Sequence, residues 1–206
     1  FLGGFIIASA MESCGLHKRI AINILSFSGT SPTMIVAGFM IATALISMWV
    51  SNTASTIMML PIATSVIAIF SSQKQSKEND LTIPLLLAIA YSASIGGIAT
   101  LIGTPTNVML ASILSDNYNY NIGFFDWFKI GFPITLILLP VVWFFLTNII
   151  FKLSKNKSNT LQVTISDLKK DIGKSSFAEK IVAIVFLLTA SLWILRRFIN
   201  NNFDVN

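Results

Sequence analysis

The stretch Trp49-Val50-Ser51-Asn52-Thr53-Ala54 places three uncharged polar residues in the middle of an apolar segment. A second polar cluster, Gly103-Thr104-Pro105-Thr106-Asn107, interrupts the next apolar segment along the chain. The segments around the two clusters, residues 31–70 and 81–115, contain no Asp, Glu, Lys, Arg or His. Polar groups and helix-breaking residues at membrane depth are tolerated only where they face protein or a water-filled cavity. Both clusters are therefore candidate substrate or ion sites.

The composition predicts an all-α polytopic membrane protein. Of the 206 residues, 54% are hydrophobic and 11% are charged, whereas a soluble domain carries about 25% charged residues. Several segments exceed the roughly 18 apolar residues that indicate a membrane-spanning helix. The net charge of +5 is spread mainly over short loops between apolar segments, which disfavours a nucleic-acid partner. The single cysteine, Cys14, excludes an intrachain disulfide and forms no metal cage by itself.

The placement of charge divides the chain into four parts. Residues 1–30 are predicted to be the end of a transmembrane helix, whose beginning we expect to be missing, followed by an interfacial amphipathic helix. Residues 31–151 hold the two polar clusters and form half of a transport domain. Residues 152–180 form a basic loop, and residues 181–206 hold a last transmembrane helix and a tail.

Two topologies fit residues 31–70. Either two short spans meet at Ser51–Thr53, or a re-entrant helical hairpin stops partway across the bilayer. A turn outside the membrane normally carries charge, Gly or Pro, and residues 49–54 carry none of these, so the sequence favours the hairpin. Residues 81–115 are then predicted to be one discontinuous transmembrane helix, broken near its middle, and residues 127–151 a further transmembrane helix.

The second cluster has the residues of a helix break. Gly103 is predicted to end one helix, Thr104 to cap the next, and Pro105 to take its first position, where the missing N–H costs nothing. Around the first cluster, helices are expected to end near Val50 and to begin near Ala54. Helix starts supply N–H groups for an anion, and free carbonyls at helix ends supply oxygens for a small cation.

The side chains of the clusters supply neutral oxygens. Ser51 and Thr104 offer hydroxyls and Asn52 an amide, and Ser47, one helical turn before Ser51, is expected to point its carbonyl at the same cavity. Such ligands suit an alkali cation better than a transition metal. Because neither segment holds Asp, Glu or His, coupling to protons is disfavoured.

Other polar and aromatic residues in the apolar segments are interpreted as structural. Hydroxyls in membrane helices often bond a carbonyl or pack a helix interface, and the aromatic group around Trp127 is typical of an anchor at the membrane surface. The hydroxyls interpreted in this way are those of Thr43, Thr64, Ser65, Ser92 and Ser94.

The distribution of basic residues predicts the orientation in the membrane. One side receives eleven Lys and Arg residues and the other three, so the first side, from which the hairpin opens, is predicted to be cytoplasmic. The eleven are Lys18, Arg19, Lys74, Lys77, Lys152, Lys155, Lys157, Lys169, Lys170, Lys174 and Lys180, and the three are Lys129, Arg196 and Arg197.

These motifs resemble those of the divalent anion:sodium symporter family, the INDY-type transporters of di- and tricarboxylates and sulfate. The likeness runs in order along nearly the whole chain, and the Ser-Asn-Thr and Gly-Thr-Pro strings are quite specific. The matching strings are Phe1-Leu-Gly-Gly-Phe, Ala10-Met-Glu, Gly15-Leu-His-Lys-Arg-Ile-Ala, Ser47-Met-Trp-Val-Ser-Asn-Thr-Ala, Met58-Met-Leu-Pro-Ile, Ser94 to Asn107 and, more loosely, Ala178-Glu-Lys-Ile-Val.

The resemblance implies an elevator-type transporter of two inverted repeats, assembled as a homodimer, of which this chain is the N-terminal half. It implies that one sodium ion is held by Ser47, Ser51, Asn52 and Gly103. It implies that the substrate carboxylate is bordered by Ser51, Asn52, Thr53, Thr104 and Pro105. A second Ser-Asn-Thr hairpin, for another sodium ion and the rest of the anion pocket, is expected to be absent from this half. Many relatives carry Pro where this chain has Thr106, a difference from which little loss of function is expected and which bears on substrate preference.

The resulting expectation is secondary-active, sodium-coupled transport of a divalent anion such as succinate, citrate or sulfate across the cell membrane. Sodium is the coupling ion, and no other cofactor is implied. Two alternatives remain open: a sodium-independent dicarboxylate exchanger on the same scaffold, and a non-transporting membrane subunit. An enzyme is disfavoured because the sequence shows no nucleophile–base pair and no metal cluster.

Overall fold

The computed structural model describes residues 2–29, 31–72, 81–154, 169–170 and 172–203, and every regular element in these ranges is helical. The all-α prediction is therefore confirmed for this part of the chain. The basic residues Lys74, Lys77, Lys155 and Lys157 lie outside it. The helices are α1 (Leu2–Ser13), α2 (Leu16–Phe27), α3 (Pro32–Ser47), α4 (Asn52–Ser72), α5 (Thr82–Ile98), α6 (Pro105–Tyr118), α7 (Phe124–Phe144), which continues as a π-helical turn (Phe145–Ile150), and α8 (Phe177–Phe203).

Local sequence explains several of these boundaries. Pro32 and Pro105 stand at the start of α3 and α6, where a residue without an N–H breaks no helical hydrogen bond. Gly15 separates α1 from α2 with a φ of 75°, a left-handed conformation that glycine adopts without a Cβ clash. Asn119 ends α6 in the same region of backbone space, with a φ of 51°.

Helices α3 and α5 lie at the centre of the fold, with α2, α4 and α7 packed around them. Their contact is close because Gly96 has no side chain: a Cβ at Gly96 would lie 2.4 Å from the carbonyl oxygen of Ala44. Phe39 of α3 and Leu85 of α5 are fully buried in the surrounding apolar core. Since Ala44 and Gly96 both lie near the carboxyl ends of their helices, the breaks that follow α3 and α5 lie at the same end of the fold.

Helix α7 has its small and polar residues inside and its large apolar residues outside. Gly131 and Thr135 are buried, whereas Ile130 is 68% exposed and Ile137 64% exposed. Packing through small residues with an apolar exterior is typical of membrane helices. Together with its π-helical turn, α7 covers Phe124–Ile150, the one helix in the described ranges that is long and apolar enough to cross a membrane.

The arginine of the α2 motif is tied to the start of α8. Arg19 Nε donates to Glu179 Oε2 at 2.8 Å, and Arg19 Nη1 donates to the carbonyl of Gly173 at 2.9 Å. Glu179 also accepts from the main-chain N–H of Ser176 at 2.9 Å, while its own N–H donates to Ser176 Oγ at 3.1 Å. This reciprocal pair is a capping box, and it begins α8 at Phe177, four residues before the predicted span.

Two predicted helix ends are wrong. Helix α3 ends at Ser47 instead of near Val50, and α5 ends at Ile98 instead of at Gly103. After Ile98 the chain folds back on the last turn of α5, so closely that a Cβ at Gly103 would lie 2.6 Å from the carbonyl oxygen of Gly97. Gly103 therefore allows this contact and does not itself stop the helix.

Two predicted helix starts also need correction. Helix α4 begins at Asn52 instead of near Ala54, because the Ser51 hydroxyl accepts the main-chain N–H of Ala54 at 3.3 Å and so acts as the N-cap. Helix α7 begins at Phe124, three residues before the predicted 127.

We call residues 48–51 the α3–α4 break and residues 99–104 the α5–α6 break.

Candidate functional site

The α3–α4 break and the α5–α6 break are in direct contact. The hydroxyl of Thr100 donates to the carbonyl of Met48, and both residues are buried. A Cβ at Gly97 would lie 2.3 Å from Asn52 Oδ1, and one at Gly103 would lie 2.6 Å from the carbonyl oxygen of Gly97. Asn52, Gly97 and Gly103 are thus stacked on one another, which brings the two polar clusters of the sequence together.

A buried group of neutral oxygens lies beside this stack. Ser47 is fully buried, and its Oγ is 2.6 Å from the carbonyl oxygen of Ala93 and 2.8 Å from Asn52 Oδ1. A hydroxyl has one proton and donates to one of these oxygens at a time. With the Asn52 amide turned by 180°, Nδ2 would donate to Ser47 Oγ while Ser47 donates to Ala93. The sequence pointed to the carbonyl of Ser47, whereas the group placed at this point is its hydroxyl.

The expected free carbonyls at the end of α5 are not found. The last four carbonyls of a helix lack partners within the helix, and here each accepts a hydrogen bond from another donor. The pairs are Ile95 with Thr135 Oγ1 at 3.0 Å, Gly96 with the N–H of Ala99 at 3.0 Å, Gly97 with Asn107 Nδ2 at 2.9 Å, and Ile98 with Trp127 Nε1 at 2.9 Å. Cation ligands from unpaired backbone are thus not supplied at this end.

Two residues that hold the α5–α6 break in place, Asn107 and Trp127, were not predicted as site residues. Asn107 Nδ2 donates hydrogen bonds to the carbonyl of Gly97 and, at 2.8 Å, to that of Thr100. Asn107 is only 7% exposed. Trp127 was expected to anchor the chain at the membrane surface, but its indole N–H bonds α5. The position of Asn107 inside the polar cluster was a signal for its role, whereas nothing in the sequence near Trp127 points to α5.

The residues predicted to border the carboxylate lie at the starts of α4 and α6. Ser51 and Thr53 are exposed at the start of α4, and Pro105 is exposed at the start of α6. Thr104 has the extended backbone of an N-cap, but its hydroxyl makes no capping hydrogen bond and lies 3.4 Å from that of Thr106. The capping position of Thr104 is as predicted, and the capping bond is not formed.

The hydroxyls that were interpreted as structural all bond carbonyls of their own helix, so that interpretation is confirmed. The acceptors are Phe39 for Thr43, Pro61 for both Thr64 and Ser65, Ile89 for Ser92 and Ala90 for Ser94. These five residues are therefore useful controls for substitutions in the site.

The whole chain matches known transporters. The family model described as "Citrate transporter" matches residues 1–205. The chain belongs to the citrate transporter family. Proteins named sodium-dependent dicarboxylate transporter SdcS, from Staphylococcus aureus strains USA300 and NCTC 8325 / PS 47, are 37% and 36% identical to it over 210 residues. The alignments cover 100% of this chain and 40% of each relative, so the chain spans less than half of their length.

Membership of the citrate transporter family confirms the resemblance drawn from the motifs and makes this a membrane protein of a transporter family, not an enzyme. The string Ser-Asn-Thr occurs a second time at residues 158–160, in a stretch rich in lysine. These residues lie outside the part of the chain that the structure describes, so the expectation that a second Ser-Asn-Thr hairpin is absent stays a prediction.

Proposed function

We propose that this chain is the half of a sodium-coupled carrier for di- or tricarboxylates that holds one cation site and part of the anion site. The observation that carries the proposal is the stack of Asn52, Gly97 and Gly103, which joins two helix breaks. The names of the family and of the relatives, citrate transporter and sodium-dependent dicarboxylate transporter, support the same substrate class and coupling ion.

The cation would be held by oxygens of the α3–α4 break. Ser47 and Asn52 already converge there. Ser51 precedes Asn52 in the chain, and Gly103 lies in the same stack as Asn52. These groups are uncharged oxygens, which fit a weakly held alkali cation. The carboxyl end of α3 adds its negative helix dipole at the same place.

The anion would be bound at the starts of α4 and α6. Each start presents main-chain N–H groups and a positive dipole end, and the hydroxyls of Ser51 and Thr104 lie there, flanked by Thr53 and Pro105. No Lys or Arg occurs in residues 31–70 or 81–115 to balance a dianion. Because burying an uncompensated charge is costly, bound sodium lowers the cost of binding the anion, and this links the two binding events.

The length of α3 supports a re-entrant hairpin. Helix α3 has 16 residues and is about 24 Å long at about 1.5 Å per residue, shorter than a hydrocarbon core of about 30 Å. A helix of this length that ends in a polar break stops inside the membrane. We infer a hairpin that opens from the cytoplasm, in the cell membrane, and that moves with α5 and α6 as a block in an elevator-type homodimer of the complete protein.

Transport by the complete protein in liposomes tests the proposal. Uptake of labelled succinate, citrate and sulfate is measured with an inward sodium gradient and with choline in place of sodium. We expect sodium-dependent uptake of a di- or tricarboxylate. If no anion shows a dependence on the gradient, symport is rejected, and counterflow driven by internal dicarboxylate would then identify an exchanger.

A substitution separates a carrier from a non-transporting subunit. Asn52→Leu removes the amide at the centre of the stack, and we expect lost uptake with normal expression. Ser65→Ala is the matched control, because the Ser65 hydroxyl bonds the Pro61 carbonyl of its own helix, at 2.8 Å. Full activity of Asn52→Leu would show that the polar cluster only packs helices.

A further inference from the structure

We propose that Ser55 is a further residue of the cation site and that its hydroxyl oxygen is a ligand of the coupling ion. The inference rests on the proposed function. It concerns a residue that lies outside the Ser-Asn-Thr string, one helical turn along α4, where the sequence alone pointed to no role.

The hydroxyl of Ser55 is buried and has no hydrogen-bond partner among the described residues. Ser55 is 0% exposed. Among the buried side-chain nitrogen and oxygen atoms of the described residues, Ser55 Oγ is the one without a hydrogen-bond partner. Leaving such a buried group unpaired is energetically costly. An ion that accepts this oxygen as a ligand would offset that cost.

Nearby hydroxyls of α4 behave differently. Thr56 Oγ1 donates to the carbonyl of Asn52 at 2.8 Å, and Ser65 Oγ donates to that of Pro61 at 2.8 Å. The corresponding carbonyl for Ser55 is that of Ser51, which accepts the main-chain N–H of Ser55 at 2.9 Å. That carbonyl has a second lone pair, but the Ser55 hydroxyl makes no bond to it or to any other described residue, so its oxygen lone pairs and its proton stay available.

The position of Ser55 places this oxygen next to the proposed cation ligands. Ser55 follows Asn52 by three residues and Ser51 by four, so all three are neighbours on the helix surface. The Cα–Cβ bond of a helical residue tilts toward the start of its helix, which directs the Ser55 side chain toward the turn that carries Asn52. Asn52 in turn is 2.8 Å from Ser47.

The burial of Ser55 indicates that its hydroxyl contacts the cation and not the anion. Ser51 and Thr53 are exposed at the start of α4 and are accessible to a polyatomic anion, whereas Ser55 lies beneath them with no exposed surface. A single desolvated cation is small enough to reach a hydroxyl in that position. Neutral hydroxyl oxygens belong to the hard ligands that such cations prefer.

The test compares Ser55→Ala with Ser92→Ala in the complete protein. Ser92 is also 0% exposed, but its hydroxyl donates to the Ile89 carbonyl of its own helix at 3.1 Å. Two quantities are measured: the sodium concentration for half-maximal uptake, and the shift in unfolding temperature when NaCl replaces choline chloride. The second needs no transport activity, so it reports on the site even in a slow variant.

We expect Ser55→Ala to need about tenfold more sodium for half-maximal uptake, the effect of losing one bond to a charged group. Its stabilisation by sodium should shrink, while its stability in choline stays equal or rises because an unpaired hydroxyl is removed. Ser92→Ala should match the unsubstituted protein. If the unsubstituted protein responds to sodium and Ser55→Ala responds identically, Ser55 is not a ligand. If the unsubstituted protein shows no response, the proposed function fails as well.

Discussion

The hydroxyl of Thr100 donates a hydrogen bond to the main-chain carbonyl of Met48 and so joins the two helix breaks directly. Thr100 is 0% exposed and Met48 is 6% exposed, and neither residue lies in a regular helix. The bond connects main chain of one break with a side chain of the other. The relative position of the two polar clusters is therefore held by a specific contact as well as by helix packing.

Replacing Thr100 with valine tests this contact. Thr100→Val keeps the side-chain shape but leaves the Met48 carbonyl without its donor, at a cost of about 1–3 kcal/mol. We expect a lower unfolding temperature in detergent and reduced sodium-dependent uptake. Thr43→Val is the control, because Thr43 is equally buried and its hydroxyl bonds the Phe39 carbonyl of its own helix at 2.7 Å. Equal losses in the two variants would contradict the prediction.

A methyl group at Gly97 should disrupt the stack. The added carbon of Gly97→Ala would lie 2.3 Å from Asn52 Oδ1, so the amide must leave its place beside Ser47. We expect uptake to fall about tenfold or more, as misplaced groups in a binding site cost binding energy. Gly3→Ala is the control, since a Cβ there meets nothing within 4 Å. Unchanged sodium-dependent uptake in Gly97→Ala would show that the position of the Asn52 amide is unimportant for transport.

Changing Asn107 to aspartate removes the donor that bonds two carbonyls. Asn107→Asp is nearly isosteric, but its carboxylate would face the carbonyl oxygens of Gly97 and Thr100, now 2.9 and 2.8 Å from Nδ2. We expect a clear fall in unfolding temperature and loss of uptake, because a buried charge without a partner is strongly destabilising. Asn23→Asp on the exposed surface of α2 is the control. Comparable stability of both variants would disprove the bridging role.

The ion pair of Arg19 and Glu179 predicts an acid-sensitive contact between α2 and α8. The hydrogen bond from Arg19 lowers the pKa of the Glu179 carboxyl below its ordinary 4.5. A carboxyl with a depressed pKa stabilises the fold above its unfolded pKa, and that contribution is lost as the pH falls below about 4.5. We expect Glu179→Gln to lower the unfolding temperature at pH 7. We also expect the unfolding temperature of this variant to fall less between pH 7 and pH 3 than that of the unsubstituted protein.

Unfolding temperatures at pH 7, 5, 4 and 3 measure this effect. Other carboxyls titrate over the same pH range. The quantity to compare at each pH is therefore the difference in unfolding temperature between the unsubstituted protein and each variant. Glu12→Gln, at an exposed position of α1, serves as the control. A decline toward acid that is as steep in Glu179→Gln as in the unsubstituted protein would exclude the ion pair as its source.

The sequence predicted the helical class, the location of both polar clusters and the start of α6 at Pro105. These predictions succeed because each depends on local chemistry: charge-free segments, and a proline at the first helical position. The ends of α3 and α5 were misplaced by three and five residues relative to Val50 and Gly103. Those ends are set by contacts across the fold, which no local pattern records.

The hydrogen-bond partners at the site were the least predictable feature. Trp127 lies 29 residues after Ile98, whose carbonyl it bonds, and Thr135 lies 40 residues after Ile95. An indole near the start of a membrane helix is typical of a membrane-surface anchor, so the local pattern gives no sign of the bond to Ile98. The pairing becomes visible only when α7 is placed against α5, where Gly131 lets the two backbones approach.

The same pairing sets an order in which the protein can be assembled. Until the ribosome has synthesised Trp127 and Thr135, the carbonyls of Ile98 and Ile95 lack the donors that cover them, and lipid offers no substitute. The nascent chain should therefore stay beside the insertion machinery until α7 has left the ribosome. An arrested chain of which only residues up to 118 have emerged should crosslink to that machinery more strongly than one of which residues up to 154 have emerged. Release of both arrested chains at the same rate would show that the bilayer accepts the incomplete bundle.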